Sequence, residues 1–215
     1  SKNIVSNTKT DNHKYKIYDT INKTNPNGKY YYYDKLDSDA GKKRLIFCLL
    51  YSEGYFCHSR NFRCQKVGDY NWLFNNYNFA NIAKCLDELI ILNVTPQRGS
   101  YHDFLEDVRK IVKNVFIPVT IGGGINELET ARNCFLNGAD KIVLNSLLLD
   151  RSENISLLAN TYGSQSIVGS LNYIIDKGQI KVFDWRNDEF KKQSFIQYVE
   201  DLELLGFGEL LINSV

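Results

Sequence analysis

The chain has 215 residues, 43% hydrophobic and 24% charged, with a formal net charge of +1. That composition supports a sizeable folded core and removes any bulk electrostatic case for nucleic acid or an anionic membrane. No apolar run reaches the roughly 18 residues of a membrane span, and Ser1–Val5 starts no signal-peptide core, so the expected location is cytoplasmic.

Five cysteines (Cys48, Cys57, Cys64, Cys85, Cys134) form no C-x-x-C pair. Cys48, Cys85 and Cys134 sit among apolar residues, which predicts buried thiols in a reducing cytosol. His13, His58 and His102 are scattered, against a His-based metal site. No metal and no cofactor is expected. The chain has no Met and stops at Ile212–Val215 after a strand-like run. Both suggest a piece of a longer reading frame.

Residues 1–43 are rich in Asn, Lys, Asp, Thr and Tyr and read as an irregular extension, with a possible strand near the Tyr30–Tyr33 run. From Arg44 the pattern is regular. Leu45–Leu50 is a short apolar strand, and Tyr51–Tyr70 a long polar loop of the kind that carries function. Trp72–Cys85 reads as a helix and Glu88–Asn93 as a strand. Tyr101–Asn114 is a helix, with Phe104, Val108, Ile111 and Val112 at helical spacing and Ser100 placed to cap it.

The strand Phe116–Ile121 runs into Gly122-Gly123-Gly124. Glycine at a strand end lets backbone approach a ligand, and N–H groups there can hold a phosphate. A tight turn alone also accounts for glycines. Helix Glu127–Leu136 is capped by Asn126, with Glu129 in capping-box position, and stops at Gly138. Strand Lys141–Asn145, helix Glu153–Thr161 and strand Ser166–Asn172 follow. Asp176-Lys177-Gly178-Gln179 is the turn of a polar hairpin. Helix Asp188–Leu205 ends at Gly206, and strand Glu209–Asn213 closes the chain. Six strands alternating with five helices imply βαβ units and a parallel sheet. An open doubly wound sheet and a barrel both fit this pattern.

The ordered motifs choose between them. Arg44-Leu45-Ile46-Phe47-Cys48-Leu49, Asp87-Glu88-Leu89-Ile90, Pro118–Ile125, Gly138–Ser146, Tyr162-Gly163-Ser164-Gln165 and Gly206–Leu211 together resemble the cyclase subunit (HisF) family of imidazole glycerol phosphate synthase. The sister isomerase of histidine biosynthesis shares the glycine loop, but Asn145-Ser146 and Gly163-Ser164-Gln165 look more like the cyclase. The resemblance covers residues 44–215 and implies a (βα)8 TIM barrel of the ribulose-phosphate-binding type. About six strands are present, an incomplete barrel.

The resemblance also implies a function. Such a subunit takes ammonia from a glutaminase (HisH-like) partner and cyclises a phosphorylated sugar-type substrate, with two aspartates as general acid and base. Those positions are Leu50 and Asn172 here, and neither side chain can move a proton. A third strand-end acid falls on Asn93, and a first-loop lysine on His58. Glu53 and Asp69 are the nearby substitutes if the acid comes from elsewhere in the first loop. The phosphate cradle maps to Gly122, Gly124, Asn145 and Ser146. A ring of alternating charges that admits ammonia maps to Arg44, Glu88, Lys141 and Glu209, whose alternative reading is strand-end solvation. Asp140 matches a residue that faces the glutaminase. The first-loop stretch Ser59–Asp69 resembles divergent paralogues that serve sugar amidation in surface-polysaccharide clusters.

Overall fold

A computed structural model describes residues 43–60, 63–95 and 101–214. The extension expected over 1–43 lies outside these residues but for Lys43, as does Ser100 as a cap.

Strand β1 (Ile46–Ser52) turns through Glu53 and Gly54 into β2 (Tyr55–Arg60), which pairs antiparallel with β3 (Arg63–Gly68). Glu53 and Gly54 both hold positive φ, 51° and 84°, the turn geometry whose twist suits a hairpin. The polar loop expected over Tyr51–Tyr70 is therefore largely a β-hairpin. Its third strand is solvent-exposed at most positions, so no apolar alternation announces it. Helix α1 (Tyr70–Tyr77) starts at Asp69, whose carboxylate accepts the Trp72 N–H at 2.8 Å. The single helix expected over Trp72–Cys85 breaks at Asn78, which adopts the left-handed conformation that Asn tolerates. The short α2 (Phe79–Ile82) and a 3-10 turn follow.

Next come β4 (Glu88–Asn93), α3 (Tyr101–Val112), β5 (Val119–Gly122), α4 (Leu128–Leu136), β6 (Lys141–Leu144), the short α5 (Ser146–Leu149) and α6 (Asn154–Tyr162). The chain then runs through β7 (Ile167–Asp176), β8 (Gln179–Asp184), β9 (Glu189–Phe190), α7 (Phe195–Glu203) and β10 (Glu209–Ser214). β5 begins later than expected: Phe116 is 94% exposed, and Pro118 has no N–H for a ladder. The N-cap of α4 is Glu127, one residue later than expected, and its side chain makes no cap bond. α7 starts at Ser194, which caps Gln197 N–H at 3.3 Å, because Glu189–Phe190 pair with β8 instead of joining the helix. The hairpin turn at Lys177-Gly178 is as expected, both residues holding positive φ.

The strands β1, β4, β5, β6, β7 and β10 lie side by side in chain order, each parallel to the next. Among the described residues β1 and β10 do not pair, so the sheet is not closed. Side chains alternate across a strand, and the register divides the sheet into two faces. Leu89, Ile91, Val119, Ile121, Ile142, Leu144, Ile167 and Leu171 belong to one large core with Phe104, Val108 and Ile111 of α3. On the opposite face Ile90, Val143 and Val168 form a smaller cluster, flanked by Leu92 and Leu211. Burying each large aliphatic contributes about 1.5–3 kcal/mol, so the helix-covered face carries most of the stability.

Cys57 and Cys134 are buried, whereas Cys48, Cys64 and Cys85 are exposed, and all five are free. The expectation of burial thus fails for Cys48, which lies on the unclosed first strand, and for Cys85, in the 3-10 turn. Among the described residues no helix is long and apolar enough to cross a membrane.

Candidate functional site

The face opposite the helices has two ends of different chemistry. At its N-terminal end, Glu88, Lys141 and Glu209 each open a strand, and Arg44 lies just before β1. Parallel pairing in register carries all four to the same edge. Arg44 Nη1 donates to Glu88 Oε2 at 3.0 Å, and Arg44 Nη2 to Glu209 Oε2 at 3.0 Å. Lys141 Nζ donates to Glu88 Oε2 at 2.9 Å and to Glu209 Oε1 at 2.8 Å. The structure therefore brings the four together as a closed ring of alternating sign. Thr120 Oγ1 adds a donor to Glu88 Oε1 at 2.5 Å from the strand between them.

Glu88 is only 2% exposed. A carboxylate so far from water needs its bonds satisfied, and two cations and a hydroxyl do this. Burial lowers the Lys141 pKa, but the bonds to Glu209 and Glu88 outweigh it, and the net shift is upward. Burial likewise raises Glu209, and the bonds from Lys141 and Arg44 reverse it, leaving the carboxyl below its ordinary value. The Glu209 bond, against a smaller burial effect, raises Arg44. Asp140, beside Lys141, is exposed, and its Oδ2 accepts the Val119 N–H at 2.8 Å.

At the C-terminal end, the strand-end positions expected to carry acids are uncharged. Leu50 lies in register with Leu92, and Asn172 with Asn213. Asn213 Nδ2 donates to Ser170 Oγ at 3.2 Å. Asn93 alternates to the other face, where its Oδ1 accepts from Thr95 N at 3.1 Å and from Thr95 Oγ1 at 2.7 Å. His58 is exposed on the β2–β3 hairpin. The substitute acids are engaged elsewhere: Glu53 pairs with Lys66 at 2.7 Å and Asp69 caps α1.

The glycine run lies where β5 meets the end of β4. A Cβ on Gly122 would meet Leu92 Cδ2 and Val143 Cβ, each at 2.7 Å, and one on Gly123 (φ +90°) would strike the Asn93 backbone carbonyl. Close strand packing accounts for these two. Gly124 (φ +72°) has more room, with the Tyr101 ring at 3.5 Å. Asn145 follows the last residue of the next strand over, β6, and Ser146 opens α5. The Asn145 amide is held on both sides. Its Nδ2 donates to the Ser170 carbonyl at 2.8 Å, and its Oδ1 accepts from Trp185 Nε1 at 2.8 Å.

Sequence reasoning missed the groups behind Trp185. Asp184 is fully buried. It accepts from Arg186 Nε and Nη2 and from Lys191 Nζ, each at 2.9 Å. The Arg186 bonds, opposed by burial and helped by Lys191, hold its carboxyl far below the usual range. Arg186 Nη1 continues to Asp150 Oδ1 at 2.8 Å. An Asp-Trp-Arg run at the end of an alternating strand was the only available signal.

The family model described as "Histidine biosynthesis protein" matches residues 65–215. The chain is 41% identical over 175 residues to "Putative imidazole glycerol phosphate synthase subunit hisF2" of Parasynechococcus marenigrum, covering 81% of this chain and 65% of that protein. It is 33% identical over 173 residues to "Imidazole glycerol phosphate synthase subunit HisF" of Chlorobium luteolum, covering 80% and 68%. The protein of that name from Chlorobaculum tepidum is 31% identical over the same length and shares. The chain thus spans about two thirds of the length of the curated relatives it matches. With its ordered motifs and its unclosed sheet of successive parallel strands, the chain belongs to the histidine biosynthesis protein family, of (βα)8-barrel fold and HisF-like.

Proposed function

We propose that the chain is the HisF-like subunit of a cytoplasmic glutamine amidotransferase system. It accepts ammonia from a HisH-like glutaminase and binds a phosphorylated sugar-type substrate, as in imidazole glycerol phosphate synthesis. In this reading residues 44–215 are the barrel portion, and residues 1–43 an extension to it. The observation that carries it is the closed ring of Arg44, Glu88, Lys141 and Glu209. Alternating charges that satisfy one another form a plug with little net field. A neutral ammonia molecule passes it more readily than an ion, which would break the ring's balance. Asp140, exposed beside this mouth, is the proposed glutaminase contact. Gly122, Gly124, Asn145 and Ser146 are the proposed phosphate site at the other end.

A second reading has its own support. Leu50 and Asn172 stand where proton transfer would need acids, and Leu92 and Asn213 beside them are equally unable to titrate. In that reading the protein is a divergent paralogue of sugar amidation, passing ammonia or scaffolding without cyclase chemistry. The test mixes full-length protein with a HisH-like glutaminase and follows glutamine hydrolysis and imidazole product. Stimulated hydrolysis with product supports the first reading, and stimulation without product the second. Unstimulated glutaminase overturns both.

A further inference from the structure

Asp184, Trp185 and Arg186 are consecutive, yet they reach both ends of α5. Trp185 bonds Asn145, the residue before the helix, and Arg186 bonds Asp150, the residue after it. Asp184 anchors the grip from a fully buried position, through two bonds to Arg186 and one to Lys191. Lys191 comes from beyond β9, so the anchor also ties down the return of this hairpin. None of these contacts is needed to close the sheet. What they share is α5 and the orientation of Asn145.

That orientation has a chemical consequence. An indole N–H only donates, and a backbone carbonyl only accepts. The Asn145 atom facing Trp185 must therefore be its oxygen, and the atom facing the Ser170 carbonyl its nitrogen. The indole covers the one side-chain atom of Asn145 that would repel an anion. What Asn145 has left to offer is its second amide hydrogen. Trp185 is itself 57% exposed despite this bond, so its ring lies where a change at Asn145 is felt.

We infer that Asp184, Trp185 and Arg186 are positioning residues, which hold Asn145 with only an amide donor free, beside the Ser146 hydroxyl, for an anionic phosphoryl group. This rests on the reading of Asn145-Ser146 as part of a phosphate site. Trp185 masks the acceptor, Arg186 fixes the far end of α5, and Asp184 locks the two together. The three do not touch the ligand.

The chain has two tryptophans, so W72F leaves Trp185 as the sole indole reporter. The experiment titrates W72F with inorganic phosphate and with ribose 5-phosphate. Line broadening of the phosphorus resonance measures binding independently of Trp185. The expected result is a Trp185 emission change that saturates with the same Kd. W185F in the same background should then weaken binding about fivefold or more, the effect of one lost hydrogen bond. If W185F fails to fold, D150N is the companion: it should speed amide exchange over residues 146–150 without ligand and weaken binding in the same direction. Binding within twofold of the parent in the variants, with silent Trp185 emission, would overturn the inference and leave the phosphate site standing. Absence of phosphorus broadening in the parent would overturn the phosphate site and the inference with it.

Discussion

The two ends of one face of the sheet differ sharply in charge. At the N-terminal end four charged side chains and a buried threonine bond one another. At the C-terminal end, a few residues further along the same strands, Leu50, Leu92, Asn172 and Asn213 carry no charge. Apolar Ile90, Val143 and Val168 separate the two. A buried ion-pair ring is weak evidence for stability, because desolvation offsets much of the attraction. In the proposed reading, the ring matters more for what passes the mouth than for what holds the fold.

The contrast can be broken at either end. The largest effect should come from Glu88→Ala, which leaves Lys141, Arg44 and Thr120 without their shared buried partner. Breaking such a pair costs about 3–5 kcal/mol, measurable by urea unfolding; a loss below about 1 kcal/mol would mean that the ring is not formed in solution. Thr120→Val keeps the shape and removes one donor, so we expect about 1–3 kcal/mol, read in the same way.

pH probes the ring without mutation. Glu209 lies below its ordinary 4.5, so its contribution is present above that value and fades as pH falls through the folded pKa. Lys141 lies above its ordinary 10.5, so its contribution is complete below 10.5 and fades as pH rises through the folded pKa. The unfolding midpoint should fall on both flanks, and Glu209→Gln should flatten the acid flank. An unchanged acid flank in that variant would count against the ring. The smallest effect is expected at the other end: Asn172→Asp should shift stability by less than about 1 kcal/mol, since the side chain is half-buried beside polar Asn213. A large loss would mean that Asn172 is a structural replacement and not a chemical one.

The parallel strands were legible because apolar runs mark their boundaries, whereas the ring came from the family resemblance, with which the place of each residue at or just before a strand start agreed. Glu88–Asn93 was readable to the residue, being covered on both faces and continuously apolar at its centre. The β2–β3 hairpin was not, since its exposed residues give no alternation. The break at Asn78 depends on one backbone conformation that Asn permits without requiring. The glycines were legible as a strand end, but the close approach of β5 to Asn93 that demands Gly123 appears only once the strands are paired. Asp184, Arg186 and Lys191 are near one another in sequence, but the bonds of this run to Asp150 and Asn145 are long-range, so the run alone could not announce them.

The central proposal is that the ring of Arg44, Glu88, Lys141 and Glu209 is a mouth for ammonia. Its most direct test mixes the full-length protein with a HisH-like glutaminase and the cyclase substrate. It follows glutamine hydrolysis and imidazole formation together, for the parent and for Arg44→Ala. The account predicts glutamine hydrolysis that the parent stimulates and Arg44→Ala diminishes, with imidazole product separating the first reading from the second. Unstimulated hydrolysis with the parent, or stimulation that Arg44→Ala leaves unchanged, would contradict it.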